Sequence, residues 1–132
     1  MKTVNVVAAV IKKDDKILAT QRGYGEFKDG WEFPGGKVEA GESPAEAIVR
    51  EIKEELNAQI AVDREIGIVE YDYPNFHLHM QCFLCSLLSD ELTLLEHEAM
   101  KWLTASTMDE VDWLPADIEV AQKVQAILQK QA

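Results

Sequence analysis

Three glutamates near the end of one predicted helix, Glu51, Glu54 and Glu55, have the spacing that points most directly to chemistry. Residues three and four apart on a helix are neighbours, so these carboxylates repel one another and destabilise the helix unless a cation joins them. Carboxylate oxygens suit Mg²⁺ or Mn²⁺, which bridge carboxylates to phosphate oxygens, whereas zinc more often takes His or Cys. The spacing therefore predicts a site for a divalent cation and a phosphate-bearing ligand.

The helix that positions these glutamates is predicted from its own start signals. Ser43 can cap it, Pro44 suits the first helical position, and Glu46 completes a capping box with Ser43. Arg50, four residues before Glu54, is predicted to orient a carboxylate. Apolar residues at three-and-four spacing form the stripe that should face the core, namely Ala45, Ile48, Val49, Ile52 and Leu56.

The glycines and glutamates around this helix follow a known pattern. Residues 36–58 resemble the Nudix box, in which Gly, five arbitrary residues, Glu and seven arbitrary residues precede Arg-Glu-apolar-any-Glu-Glu-any-Gly-apolar. A solvated acidic helix is the ordinary explanation for a lone cluster of glutamates, but it does not explain a glycine and Glu42 at these distances. The matching positions are Gly36, Glu42, Arg50, Glu51, Ile52, Glu54 and Glu55.

Two positions at the end of the box depart from the pattern. Asn57 stands where the family has Gly, and Ala58 replaces a bulkier apolar residue. Asparagine is the next most tolerant residue of the left-handed backbone that ends many helices, so the metal site is expected to remain intact.

The resemblance extends over nearly the whole chain and is strongest to the small nucleoside triphosphate pyrophosphohydrolases of MutT and CTP pyrophosphohydrolase type. It implies an α/β (α+β) fold, a Nudix-type α/β/α sandwich with a mixed central sheet. It also implies Mg²⁺-dependent hydrolysis, with Mn²⁺ as the alternative, of (d)CTP or a modified or oxidised dNTP to the monophosphate and pyrophosphate, as in nucleotide-pool sanitation. The supporting segments are residues 6–11, 21–22, 31–36, 96–102 and 114–117.

The resemblance assigns roles to particular residues. The metal ligands it implies are Glu51, Glu54, Glu55, the carbonyl of Gly35 and Glu96, and the catalytic group is Glu54, Glu55, Arg50 and Glu96. Glu96 is open to a second interpretation, because residues 96–98 can equally form a solvated turn. Which carboxylate takes the proton from water is left open.

A second group of residues is assigned by resemblance to the nucleobase: Arg22, Phe33, Tyr73 and Asp117. Phe33 or Tyr73 can supply aromatic stacking, which tolerates any base. An ionised Asp117 only accepts hydrogen bonds and therefore favours a donor-rich edge such as the cytosine amino group. The alternative is that Asp117 caps the last helix.

Composition limits the remaining possibilities. The chain has 132 residues, 47% of them hydrophobic, and is predicted to form a single domain over residues 1–132. Its net charge of −11 argues against nucleic acid as a partner. No run approaches the roughly 20 apolar residues of a membrane span, and no signal peptide is visible. We expect a cytoplasmic monomer or homodimer that binds a small nucleoside triphosphate.

The sequence contains one pair of cysteines and one pair of histidines that could suggest a metal site, but neither pair has the further ligands that such a site needs. Cys82 and Cys85 lie in an apolar strand-like run without a second cysteine pair, so they are predicted to be buried free thiols. His77 and His79 share one face of a strand, but no third ligand is evident, and a structural or pocket-lining role is preferred.

The other elements follow from apolar runs and turn residues. Strands are predicted over 4–11 and 16–21 as a hairpin, over 31–33, 59–73, 77–88 and 99–103, with a loop over 23–30 and a turn at 34–36. A final helix is predicted over 115–130, and Trp102 and Trp113 are assigned to the core. The buried side of this final helix is expected to carry Ile118, Ala121, Val124 and Ile127 or Leu128.

Three rival interpretations remain. The first is a Nudix hydrolase of ADP-ribose or a dinucleoside polyphosphate, for which Pro74, 16 residues beyond the box, decides little. The second is a nucleotide-sensing Nudix module without catalysis, although no box carboxylate is lost. The third is an acidic interaction protein, which leaves the glycine and glutamate spacing unexplained.

Overall fold

The structure, a computed structural model, describes residues 1–89 and 91–130. A short 3₁₀ helix, Ala105–Glu110, precedes the last helix. The other elements are β1 (Lys2–Lys13), β2 (Lys16–Arg22), β3 (Trp31–Glu32), β4 (Gly35–Lys37), α1 (Pro44–Leu56), β5 (Ile60–Asp72), β6 (Phe76–Leu87), β7 (His97–Leu103) and α2 (Pro115–Lys130).

Within the described residues the strands form one seven-stranded mixed sheet. Its main order is β3-β2-β1-β6-β5, with β1 and β6 parallel and the other neighbours antiparallel, while β4 pairs with β1 and β7 with β2. The helix α1 packs on one face of the sheet and α2 on the other, each over its own apolar cluster. This arrangement confirms the predicted α/β/α sandwich with a mixed central sheet.

The predicted turn at residues 34–36 was wrong in part, because Gly35 and Gly36 belong to strand β4. Gly35 lies opposite Ala8 and Gly36 opposite Val7 in an antiparallel ladder. A Cβ added at Gly35 would lie 1.9 Å from the carbonyl oxygen of Val7. Glycine is therefore required here by close backbone approach rather than by a turn.

Helix α1 begins and ends as the sequence predicts. Ser43 and Glu46 form the reciprocal capping box, and Asn57 adopts the left-handed conformation at φ 49°. The stripe that faces the core was only partly right, since Ala45 and Val49 are exposed. The helix is rotated by about one residue relative to that stripe, so its buried positions are Ala47, Ile48, Ile52, Glu55 and Leu56.

Helix α2 also has the predicted bounds. Ile118, predicted to be buried, is exposed, and residues of the first turn of α2 are buried instead. Its buried residues are Ala116, Asp117, Val120, Ala121, Val124 and Leu128. Trp102 and Trp113 pack against the two apolar clusters, as expected. No helix among residues 1–89 and 91–130 is both long and apolar enough to cross a bilayer.

The cysteines are buried free thiols, as predicted. Cys82 packs on the α2 side of the sheet and Cys85 on the α1 side, because strand residues three apart point to opposite faces. Burial raises the pKa of both thiols to about 12, which leaves them without thiolate character at neutral pH.

Candidate active site

An acidic cleft of about 390 Å³ opens where β4, the end of α1 and the start of β7 meet. Gly35, Gly36, Glu55 and Glu96 line it together. Glu96 lies immediately before β7, and its carboxylate accepts a hydrogen bond of 3.4 Å from the Tyr24 hydroxyl. Three of the predicted metal ligands therefore face one cavity.

Glu55 is the buried carboxylate of this cleft, with 8% of the residue exposed. Its Oε2 atom has no hydrogen-bond partner. The pKa of Glu55 is raised to about 9, mainly by burial and in addition by the charge of neighbouring Glu51 and a hydrogen bond between the two carboxyl groups. At neutral pH Glu55 thus holds a proton that a cation would displace.

Gly36 makes room for Glu51. A Cβ added at Gly36 would lie 2.4 Å from the carboxyl carbon of Glu51. The box glycine thus allows this carboxylate to lie directly against the β4 backbone, where any side chain would displace it.

Arg50 connects the carboxylates of the box. Its Nε and Nη2 atoms donate to the two oxygens of Glu42 at 2.7 and 3.0 Å, and Nη2 also donates to the carbonyl of Lys37 at 3.0 Å. Its Nη1 atom donates to Glu51 at 2.9 Å and to Glu54 at 3.1 Å. Arg50 thus has the orienting geometry that the sequence predicts, while Glu54 stays largely exposed.

An aromatic pocket of about 220 Å³ adjoins the acidic cleft. All four residues predicted to hold the nucleobase line it: Arg22, Phe33, Tyr73 and Asp117. Glu26, Glu32, Gly35 and Gly36 line both cavities, as does Arg22. The two cavities are therefore adjacent compartments with a shared wall.

Asp117 lies in the wall of the aromatic pocket and is buried. Its Oδ1 atom accepts the backbone N–H of Phe33 at 3.0 Å. The pKa of Asp117 is raised to about 8, mainly by burial and in addition by the charge of Glu32, while the hydrogen bond from Phe33 opposes the rise. The raised pKa favours the protonated form at neutral pH, which departs from the expectation of an ionised Asp117.

The capping interpretation of Asp117 also fails. An N-cap residue precedes the first helical residue, whereas Asp117 is the third residue of α2. Its carboxyl group contacts Phe33 on another element instead.

The aromatic rings of the pocket differ in their exposure and in the rings that they stack on. Phe33 is 3% exposed and its ring stacks on Trp113 at 4.6 Å, so one of its faces is already covered. Tyr73 is half-buried, and its ring stacks on Phe76 at 5.0 Å and lies 4.8 Å from Tyr71 and 5.5 Å from Phe27 between ring centroids. Both rings thus have a stacked neighbour, and Tyr73 is the more exposed of the two.

Arg22 is engaged by the protein itself. Its Nε and Nη2 atoms donate to Glu32 at 3.1 and 2.6 Å, and its Nη1 atom donates to the carbonyl of Glu26 at 3.0 Å. The guanidinium group thus ties the loop over residues 23–30 to β3. We interpret Arg22 as a residue that shapes the pocket and presents Glu32 to it.

Comparison with known proteins decides the family. Residues 1–124 match the family model described as the NUDIX domain. The chain belongs to the Nudix hydrolase family.

Two curated relatives and one solved structure show how close this Nudix hydrolase stands to others. It is 34% identical to the CTP pyrophosphohydrolase of Escherichia coli, over 96% of this chain and 95% of the relative. It is 36% identical to the putative 8-oxo-dGTP diphosphatase 2 of Mycobacterium tuberculosis, over 85% of this chain and 81% of the relative. The solution structure of the E. coli ORF135 protein superposes with a TM-score of 0.82 at 33% identity, covering 96% of this chain and 91% of the other.

Nudix hydrolases generally use divalent metal cations, and the residues of the acidic cleft suit one. The predicted metal ligands all supply oxygen atoms, which hard cations prefer, and the buried Oε2 atom of Glu55 lacks a hydrogen-bond partner. Among the residues that the structure describes, no three His, Cys, Asp or Glu side chains converge as a finished metal centre. Arg50 holds Glu51 and Glu54, so an ion would compete with Arg50 for these oxygens.

Several residues of the site were missed by the sequence interpretation. Glu32 received no role, although a charged residue between two aromatic residues before a glycine pair is a usable signal. Tyr24 and Phe27 were included only as part of a glycine-rich loop, and His97 only as part of a solvated turn. Their positions depend on contacts between β2, β7 and the loop, which local sequence does not reveal.

His77 and His79 lie outside both cavities. His77 contacts Asp72 at 2.6 Å and Glu70 at 3.2 Å, and His79 also contacts Glu70. The carboxylates lie directly across the strand pair from the imidazoles. These contacts agree with the structural role that the sequence favoured.

Proposed function

We propose that this Nudix hydrolase cleaves nucleoside triphosphates to the monophosphate and pyrophosphate in the presence of Mg²⁺, with Mn²⁺ as a substitute. The substrates are (d)CTP or modified and oxidised dNTPs, as expected of an enzyme of nucleotide-pool sanitation. The single observation that carries the proposal is the shared wall between the acidic cleft and the aromatic pocket. A ligand with a base at one end and a chain of phosphates at the other matches this arrangement.

The chemistry of the cleft suits a polyphosphate. A triphosphate resists attack by water because its negative charge repels a nucleophile. A bound divalent cation neutralises that charge and lowers the pKa of a coordinated water. The proposed ligands of the cation are the Gly35 carbonyl, Glu51, Glu54, Glu55 and Glu96.

Other residues support the reaction without binding the cation. Arg50 fixes Glu51 and Glu54, neither of which lines the cleft itself, through its Nη1 contacts. The proton of the attacking water goes to one of the carboxylates Glu54, Glu55 and Glu96. Because Glu55 is buried and the other two are exposed, Gln variants of the three are expected to give different pH profiles.

Base recognition is proposed for Tyr73 and Asp117, with Phe33 and Arg22 shaping the pocket. A protonated Asp117 donates a hydrogen bond from its hydroxyl, whereas an ionised one only accepts. The same residue therefore serves a base edge with a carbonyl or one with an amino group. This versatility agrees with the names of the two relatives, one a CTP and one an 8-oxo-dGTP hydrolase.

The rival substrates are outcomes of one experiment. The test measures product formation with Mg²⁺ from CTP, dCTP, 8-oxo-dGTP, dGTP, ADP-ribose and a dinucleoside polyphosphate. The proposal expects a triphosphate to give the highest kcat/KM, with pyrophosphate as a product. A preference for ADP-ribose or a dinucleoside polyphosphate would replace the proposed substrate, and binding without turnover would identify a sensing module.

Matched variants make the test specific. Glu54→Gln and Glu55→Gln are expected to lose nearly all turnover, while Glu119→Gln, an exposed change on α2 that lines neither cavity, serves as the control. A single domain over residues 1–132 is part of the proposal and is supported by the family match over residues 1–124. The choice between monomer and homodimer and the cytoplasmic location stay predictions.

A further inference from the structure

His97 is a buried imidazole in the wall of the acidic cleft that the proposed chemistry does not use. It is the first residue of β7 and pairs with Arg22 of β2, so its backbone is fixed by the sheet. Its side chain is 7% exposed. A histidine this enclosed and this constrained presents its ring in one direction.

The ring points between two carboxylates. The Nε2 atom lies 3.9 Å from Oε2 of Glu55 and 3.8 Å from Oε2 of Glu32. In the described part of the chain, two buried side-chain polar atoms have no hydrogen-bond partner: Glu55 Oε2 and His97 Nδ1. These two atoms belong to the same facing pair of residues, one on α1 and one on β7.

The partners of each group decide where the imidazole proton goes. A neutral imidazole has one N–H; carboxylate oxygens lie 3.8 and 3.9 Å from Nε2, whereas Nδ1 has no hydrogen-bond partner, so the proton belongs on Nε2. Both oxygens of Glu32 already accept from Arg22, whereas Glu55 Oε2 accepts from nothing. A buried acceptor without a donor is costly, so Glu55 is the favoured recipient. Closing the gap by about 1 Å gives a normal hydrogen bond.

We infer that His97 is a positioning residue of this site, whose Nε2–H donates to Glu55 Oε2 and holds that carboxylate in the cleft for the divalent cation. The inference rests on the proposed function, because it concerns how one proposed ligand of the cation is held. Hydrogen bonds from neighbouring groups commonly fix metal-binding carboxylates, and their loss weakens metal affinity about 10- to 100-fold. The competing interpretation is that His97 only fills space under β7.

Three substitutions separate these interpretations. The side-chain amide nitrogen of Gln can occupy the position of Nε2, that of Asn lies near Nδ1, and Leu fills the space without a donor. The affinity of the nucleotide-free protein for Mn²⁺ is measured by calorimetry. We expect His97→Gln to bind within about threefold of the wild type, and His97→Asn and His97→Leu to bind about tenfold or more weakly. Equal affinity in all four proteins would leave His97 a space-filling role and overturn the inference.

Two further readouts keep the test independent of variant stability. Nitrogen-15 NMR of the wild-type imidazole is expected to show the Nε2–H tautomer, and a proton on Nδ1 would refute the inference without any substitution. In steady-state assays, loss of Glu55 positioning lowers kcat, whereas loss of a contact to Glu32 would raise KM for the nucleotide. A rise in KM alone, with unchanged Mn²⁺ affinity, would also overturn it.

The wild-type protein separates this inference from the proposed function. A folded wild type that binds no divalent cation and hydrolyses no nucleotide would refute the proposed function. A wild type that does both, beside His97→Asn and His97→Leu proteins with unchanged Mn²⁺ affinity, would refute only the role of His97.

Discussion

Arg50 binds Glu42 through both carboxylate oxygens, with Nε 2.7 Å from Oε2 and Nη2 3.0 Å from Oε1. Glu42 precedes α1 and Arg50 lies in its second turn, so this bidentate pair fastens the start of the box to the helix. The hydrogen bond from Arg50 lowers the pKa of Glu42, which keeps this carboxylate ionised. The spacing of eight residues between Glu42 and Arg50 thus brings their side chains close enough to form this ion pair.

Replacing Arg50 by Lys tests this connection. An ammonium group cannot reproduce the planar fork that contacts Glu42, Glu51 and Glu54 together. We expect kcat to fall about 10- to 100-fold and the free energy of unfolding to fall by about 1–2 kcal/mol. Kinetics and urea unfolding measure the two effects, with Lys53→Gln on the exposed face of the same helix as the control. An Arg50→Lys protein with wild-type kcat would show that Arg50 orients nothing the reaction needs.

Glu54→Gln and Glu55→Gln are expected to separate activity from stability. Each removes one proposed ligand of the cation, so kcat should fall by about 100-fold or more. Glu54 is exposed and Glu55 is buried with a raised pKa, so neither folded state needs the negative charge. Thermal unfolding of both variants should therefore match or exceed that of the wild type. If activity fell only in a variant whose unfolding temperature also fell, loss of folding would explain the defect.

Cation binding should depend on pH through Glu55. Its pKa of about 9 means that an ion must displace the proton of Glu55 at neutral pH. Apparent Mn²⁺ affinity is expected to rise as pH rises from 6 toward 9, with a change of up to about tenfold per unit. Calorimetry in buffers of different ionisation enthalpy measures the released proton. Affinity that does not change over this range, with no proton release, would contradict the raised pKa.

Ionisation of Asp117 should make the free energy of unfolding depend on pH. Its pKa is about 8 in the folded protein, above the ordinary value of about 3.9. The folded state thus holds a proton that the unfolded state releases, so this contribution is full below about pH 4 and is lost as pH rises through about 8. Asp117→Asn keeps the acceptor for Phe33 and removes the ionisation. Its free energy of unfolding should exceed that of the wild type at pH 9 by about 1 kcal/mol or more, with a smaller difference at pH 5.

The same Asp117→Asn protein tests base recognition. Asparagine keeps a donor and an acceptor at every pH, whereas Asp117 exchanges one for the other as it ionises. We expect the ratio of kcat/KM values for dCTP and 8-oxo-dGTP to shift between the two proteins. A ratio that stays constant from pH 6 to 9 in both would remove Asp117 from base selection and leave its contact with Phe33 as its role.

Local signals predicted the elements well but not how they are placed against one another. The capping box at Ser43 and Glu46 located the start of α1, because capping depends on residues within one turn. The stripe through Ala45 and Val49 was rotated, because packing on the sheet decides which side of a helix is buried. The strand at Gly35 looked like a turn, since its close contact with Val7 comes from a distant part of the chain.

The residues of the site show the same difference between features set by local sequence and features set by distant contacts. The spacing of Glu51, Glu54 and Glu55 was visible in the sequence, because helix periodicity alone makes them neighbours. The raised pKa of Asp117 was not, because it arises from burial of the carboxyl group rather than from residue type. His97 was overlooked for the same reason, since its isolation from solvent comes from pairing between β7 and β2.

The most direct test of the central claim is product analysis on folded wild-type protein with a nucleoside triphosphate, with and without Mg²⁺. The predicted result is one monophosphate and one pyrophosphate per turnover in Mg²⁺, none after chelation by EDTA, and almost none from Glu54→Gln or Glu55→Gln in Mg²⁺. The same products at the same rate in EDTA, or no cleavage of any triphosphate in Mg²⁺, would contradict it.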